Sequence, residues 1–145
     1  MVWVDEVLSL RPTENGIAGE CLVRLHADAL YRMPDGSIRP SAIIEWIAQS
    51  YGYVKACQFK TGAFGEAKMK RAYLVGVTQC EAHVALLATE TELVVFVEEV
   101  RELPPASIVQ GKVASRDGTR AYGSALIKLF ADVGDTIEKS KSTQE

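Results

Sequence analysis

The chain has 145 residues, 48% hydrophobic and 24% charged, a size and balance that fit one globular domain with a real core and leave little room for a second. A formal charge of −3 gives no basic footprint for nucleic acid or anionic membranes. No apolar run approaches the ~18–20 residues that cross a bilayer, and Asp5 and Glu6 interrupt any signal-like start, so a cytoplasmic protein is expected.

In chain order, Val2 to Leu10 is β-branched and reads as a strand, closed by Arg11-Pro12-Thr13-Glu14-Asn15-Gly16, whose Asn-Gly is a hairpin signal. Ile17 to Leu25 returns antiparallel, with Ile17, Gly19, Cys21, Val23 and Leu25 on a core face and Glu20, Arg24 and His26 on a wet one. Met33-Pro34-Asp35-Gly36 is a turn in a connecting loop. Pro40-Ser41 opens a helix from Ala42 to about Phe59, apolar around nearly its whole circumference through three turns and therefore expected to be buried. Lys55 and Lys60 fall toward its end, where cations suit the dipole. Four strands follow, Arg71 to Val84, Glu92 to Leu103, Ser107 to Ser115 and Arg120 to Ala131, the last three separated by Pro104-Pro105 and Asp117-Gly118. Residues 1–133 form the domain, and the polar stretch 134–145 is expected to be disordered. The order β-β-α-β-β-β-β is that of an α+β domain in which one helix backs an antiparallel sheet of about six strands. One helix cannot cover such a sheet, and the uncovered area and unpaired edge predict a two-fold dimer.

Cys21, Cys57 and Cys80 are odd in number, scattered and without C-x-x-C spacing, so they read as free, mostly buried thiols, with neither a disulfide framework nor a zinc site. With only His26 and His83 in addition, no metal centre is expected. The polar pair on the apolar helix is Glu45 and Gln49, whose i, i+4 spacing puts them on one face. Two readings stay open from the spacing. Desolvation among Ile44, Trp46 and Ile47 would tune the Glu45 carboxyl for acid–base work, or the carboxylate would simply serve the open N–H groups and dipole of the helix start. Lys68, Lys70 and Arg71 form a short basic cluster able to dock an acidic carrier protein or coenzyme A phosphates, or to be a solvated loop. Trp46, Tyr51 and Tyr53 have the spacing of core aromatics.

The string Ile44-Glu45-Trp46-Ile47-Ala48-Gln49 resembles the helix signature of the hotdog-fold 3-hydroxyacyl-acyl-carrier-protein dehydratases of FabZ and FabA type, where an acidic residue is followed four positions later by glutamine. Val4-Asp5-Glu6-Val7 and Ala72-Tyr73-Leu74-Val75-Gly76-Val77 are similar to strands of those proteins, and Asp117-Gly118 falls where their last hairpin turns. The loop Asp35-Gly36, ten residues before Glu45, is closer still to a divergent branch, the ApeP-like dehydratase-related proteins of aryl polyene clusters. The resemblance implies a hotdog fold, a helix wrapped by its sheet, and active sites shared between two subunits. It also implies an acyl chain carried as a phosphopantetheine or coenzyme A thioester, with no further cofactor, in fatty acid or polyene/polyketide biosynthesis. By the same resemblance Glu45 protonates a departing hydroxyl, Gln49 orients it or the substrate, and N–H groups at Ala42 and Ile43 polarise the thioester carbonyl beside Trp46. The family's catalytic histidine, fourteen residues before the acid, falls here on Tyr31. Tyr31 and His26 are the substitutes to consider. The expected partners are acyl carrier protein or acyl-CoA and a second copy of the chain. Three functions compete: a dehydratase with a nonstandard base, a hotdog thioesterase in which Glu45 activates water or attacks the thioester, and a noncatalytic hotdog subunit that binds carrier protein or pairs with an active homologue.

Overall fold

A computed structural model describes residues 3–26, 31–60, 69–83, 91–103 and 106–133. The elements are β1 (Glu6–Thr13), β2 (Gly16–Arg24), α1 (Ser41–Lys60), β3 (Met69–Ala82), β4 (Glu92–Leu103), β5 (Ala106–Ser115) and β6 (Ala121–Val133). All six strands form one antiparallel sheet in the order β1-β2-β4-β5-β6-β3. The expected element order is therefore present. The stretch 134–145 and Lys68 lie outside the described residues.

β1 begins and ends later than its composition predicts. It runs through Pro12, which pairs with Ile17, because β1 is an edge strand where a missing N–H breaks no ladder bond. The hairpin closes at Thr13 and Gly16, so Glu14 and Asn15 form the turn, and Gly16 follows it at φ +140°. Further along, the Met33 to Gly36 turn is closed by the Gly36 N–H on the Met33 carbonyl at 2.9 Å. At the other hairpin the Thr119 N–H and hydroxyl and the Ser115 hydroxyl bond the Asp117 carboxylate and hold its pKa down at about 2.

The helix lies on the sheet face built from Ile17, Cys21 and Val23 of β2, Leu93, Val95 and Val97 of β4, Val109 and Val113 of β5, and Ala125, Ile127 and Leu129 of β6, all buried. Its own contribution is Ala42, Ile43, Trp46, Ile47, Tyr51 and Val54. Close approach is possible because three of the four residues in one row across the sheet are small: Gly19 pairs with Val97, Val97 with Gly111, and Gly111 with Ala125. A Cβ at Gly111 would overlap the Ile47 side chain, and one at Gly19 would come within 2.7 Å of Val54 and 2.8 Å of the Ser9 carbonyl.

Two expectations about burial are corrected. The helix is not enclosed all round: Ser41, Glu45 and Tyr53 are exposed and Gln49 is part-buried, a stripe at four-residue spacing that the sheet of this chain does not cover. Tyr53, at 37% exposure, belongs to that stripe and not to the core that takes Trp46 and Tyr51. On β2 the second face is only partly wet, since Ala18 and Leu22 are also buried.

Candidate active site

Glu45 and Gln49 stand together on the open stripe of α1. Gln49 Nε2 donates to Glu45 Oε1 at 3.2 Å, and Gln49 Oε1 accepts the backbone N–H of Trp3 at 2.8 Å. The helix starts at Ser41 and has no acidic residue in its first turn, so Glu45 lies beyond the open N–H groups of the helix start and bonds Gln49 instead. Neither is it enclosed by Ile44, Trp46 and Ile47, because those side chains leave the helix on other faces and Glu45 is exposed in the single chain. A carboxylate with one oxygen held by an amide and the other open to a ligand can accept or deliver a proton.

Tyr31, at the position of the histidine in the resembling family, is 1% exposed. Its hydroxyl accepts the His26 backbone N–H at 2.6 Å. Its ring meets Trp3 edge-on with centroids 5.1 Å apart and Trp46 at 5.3 Å, and Trp3 and Trp46 complete the trio at 6.4 Å. The aromatic cluster thus lies beside the Glu45–Gln49 pair, joined to it through Trp3. His26 itself is exposed, and the His26 carbonyl accepts from Arg32 Nε at 2.7 Å. His83 is exposed just past the end of β3, where its backbone N–H donates to the Tyr122 carbonyl at 2.7 Å.

Two assignments at the helix start change. The Ala42 N–H donates to the Arg39 carbonyl at 2.9 Å and the Ile43 N–H to the Pro40 carbonyl at 3.2 Å, so both are engaged within the first turn and are not open to a thioester oxygen. The side chains of Ala42, Ile43 and Trp46 are buried in the core, which makes Trp46 a wall of the aromatic cluster and not an open contact. Lys70 and Arg71 begin β3, but their side chains, like Lys68, fall outside what is described.

All three cysteines are free, and they span the range of exposure: Cys21 buried, Cys57 intermediate, Cys80 exposed. Burial pushes the Cys21 thiol up to about 11, which makes it a poor nucleophile at neutral pH. Among the described residues no three His, Cys, Asp or Glu side chains are grouped to hold a metal ion, and no helix is long and apolar enough to cross a membrane. An open groove of about 300 Å³ lies on the far side of the sheet from α1, lined by Arg11, Glu20, Phe96, Glu98 and Lys112 among others, and does not include Glu45.

Two features escape the sequence reading. One is the buried ion pair of Lys55 Nζ and Glu99 Oε1 at 2.9 Å, with the Ser107 hydroxyl donating to Glu99 Oε2 at 3.4 Å. Its signal is phase: Glu99 continues the alternation of Leu93, Val95 and Val97, and Lys55 follows Tyr51 by four on the inward side of the helix. The other is the Trp3 contact with Gln49, made by a backbone N–H that any residue but proline would supply, so nothing in the sequence marks it.

Among the described residues one helix lies against a six-stranded antiparallel sheet, the arrangement of a hotdog fold, and comparison with solved structures places the chain there. It is similar to the dehydratase heterocomplex ApeI:P from Xenorhabdus doucetiae, at 16% identity over 93% of this chain and 85% of that one, with a TM-score of 0.73. A thioesterase family protein from Silicibacter pomeroyi matches at 15% identity over 89% and 85% of the two chains, with a TM-score of 0.60. The smu.793 protein from Streptococcus mutans UA159, bound to acetyl CoA, matches at 11% identity over 92% and 93%, with a TM-score of 0.59. No curated protein matches the chain in sequence. The model of the ApeP-like family, described as ApeP dehydratase, matches residues 1–136, and the chain belongs to that family.

Proposed function

We propose that this chain is a cytoplasmic 3-hydroxyacyl-thioester dehydratase that takes its substrate on a phosphopantetheine or coenzyme A arm. The observation that carries the reading is the hydrogen-bonded Glu45–Gln49 pair on the open stripe of α1, in a chain of the ApeP-like dehydratase family. Dehydration takes a proton from C2 and the hydroxyl from C3. The C2–H electrons become the new double bond as the C3–O bond breaks, and the departing oxygen leaves as water once it is protonated. With Tyr31 buried and hydrogen-bonded where the resembling family has histidine, Glu45 performs both transfers. Its carboxylate takes the C2 proton and then gives it to the hydroxyl. Gln49 holds Oε1, which leaves Oε2 to carry the proton. The stripe of α1 and the free edge of β3 are to be covered by a second copy of the chain in a homodimer, which would dry the site and strengthen its electrostatics. The Streptococcus mutans relative binds acetyl CoA, in keeping with a thioester ligand for this fold; acyl carrier protein is the other candidate donor.

A thioesterase is the second reading, favoured by the open carboxylate and the absence of the family's histidine. Glu45 would then activate a water against the thioester carbon, releasing acid and thiol. A noncatalytic subunit is the third. Purified protein incubated with 3-hydroxyacyl-CoA and saturated acyl-CoA, with enoyl absorbance and free thiol followed separately, tells them apart. Enoyl product without thiol supports dehydration, thiol release supports hydrolysis, and turnover of neither overturns both enzymatic readings.

A further inference from the structure

Alternation along the strands decides what the sheet presents on the side away from α1. Gly19 and Val97 face the helix, so Ala18, Glu20, Phe96 and Glu98 face the other way. The register sets them side by side, Ala18 with Glu98 and Glu20 with Phe96. β1 adds Arg11 beside Ala18, and β5 adds Lys112 beside Phe96. Two rows result, Arg11–Ala18–Glu98 and Glu20–Phe96–Lys112. In each, opposite charges stand two strands apart, about 10 Å between Cα atoms, with an apolar residue between them. Together the rows line the open groove of about 300 Å³.

Opposite charges on neighbouring strands stand close enough to pair. Here each couple is one strand further apart, and among the described residues none of Arg11, Glu20, Glu98 and Lys112 makes an ion pair or a side-chain hydrogen bond. What lies between the charges differs. In one row the Phe96 ring, 37% exposed, stands between Glu20 and Lys112. In the other Ala18 is buried at the floor and its methyl group reaches no further, so a hole remains between Arg11 and Glu98.

We propose that this groove binds a small ammonium carboxylate, the class of the free amino acids, over Ala18 and between Arg11 and Glu98. The ligand carboxylate meets the Arg11 guanidinium, whose forked N–H groups match two carboxylate oxygens. The ligand ammonium meets Glu98, with Glu20 diagonally across, and the apolar part lies on the Phe96 ring. The four protein charges sum to zero, so a ligand of zero net charge preserves the balance, whereas a simple cation or anion upsets it. The groove is on the opposite face of the sheet from Glu45 and takes no part in the chemistry assigned there.

The test titrates ¹⁵N-labelled full-length protein with L-leucine and with two analogues that each lack one of its charges, 3-methylbutylamine and 4-methylpentanoate. The backbone amide signals of Gly19 and Gly111, both in the groove, are the reporters. L-Leucine is expected to shift them saturably, and each analogue to bind at least about tenfold more weakly, the scale of one lost hydrogen bond between charged groups. Arg11→Gln and Glu98→Gln, at exposed positions, each weaken L-leucine binding by a similar factor. The proposal is overturned if L-leucine produces no saturable shift, if either analogue binds as tightly as L-leucine, or if Arg11→Gln keeps wild-type affinity. Binding is read without turnover, so failure of the dehydratase reading leaves this test unaffected.

Discussion

Glu99 has no exposed surface, and its carboxylate is met by the Lys55 ammonium and the Ser107 hydroxyl. A buried pair of this kind offsets its own desolvation only while both partners are present. Lys55→Met is therefore expected to cost about 3–5 kcal/mol in denaturant unfolding, while Lys55→Met with Glu99→Leu recovers most of that loss. A double variant no more stable than the single one would contradict this account of the pair. Glu45 and Gln49 are legible because helical spacing alone puts two polar groups on one face of an apolar segment. The exposure of that face is not, since it depends on where the sheet ends. Tyr31 is legible as a departure from a known pattern, but its bond to the His26 backbone and its place between two tryptophans depend on how the loop before α1 folds back.

At the scale of elements, the helix and the strands were readable from periodicity, and their contact was not. The row Gly19, Val97, Gly111 and Ala125 comes from four strands, so no local window shows that Gly111 and Gly19 fall beneath Ile47 and Val54. Gly111→Ala puts a methyl into the Ile47 side chain and is expected to destabilise by about 1–3 kcal/mol, as overpacking of a filled core does. Trimming the helix side with Ile47→Val in the Gly111→Ala background should return part of the loss, measured as the midpoint of chemical unfolding. Losses that simply add would place the cause elsewhere than this contact. The ends of β1 differ from those the sequence predicts for a related reason: Pro12 reads as a strand breaker until its place on the sheet edge is known.

For the molecule as a whole, the decisive feature is what one chain leaves uncovered. β3 is an outer strand of fourteen residues, with Leu74, Val75 and Val77 exposed at 42%, 56% and 36%, and the stripe of α1 is open as well. A long apolar edge of this kind invites pairing with another copy. If the proposed homodimer forms here, Val75→Lys shifts it from dimer to monomer in light scattering and abolishes turnover; a dimer unaffected by the lysine would locate the interface elsewhere. The arithmetic of one helix against six strands is what makes a second copy an expectation from the sequence. Whether Glu45 carries the proton in an acyl-thioester elimination is decided by enoyl formation from 3-hydroxyacyl-CoA by wild type and Glu45→Gln at equal folded concentration. With Glu45 as proton carrier, wild type forms product and Glu45→Gln loses at least about a hundredfold, as on removal of a general acid–base group. Equal rates for the two proteins would contradict it.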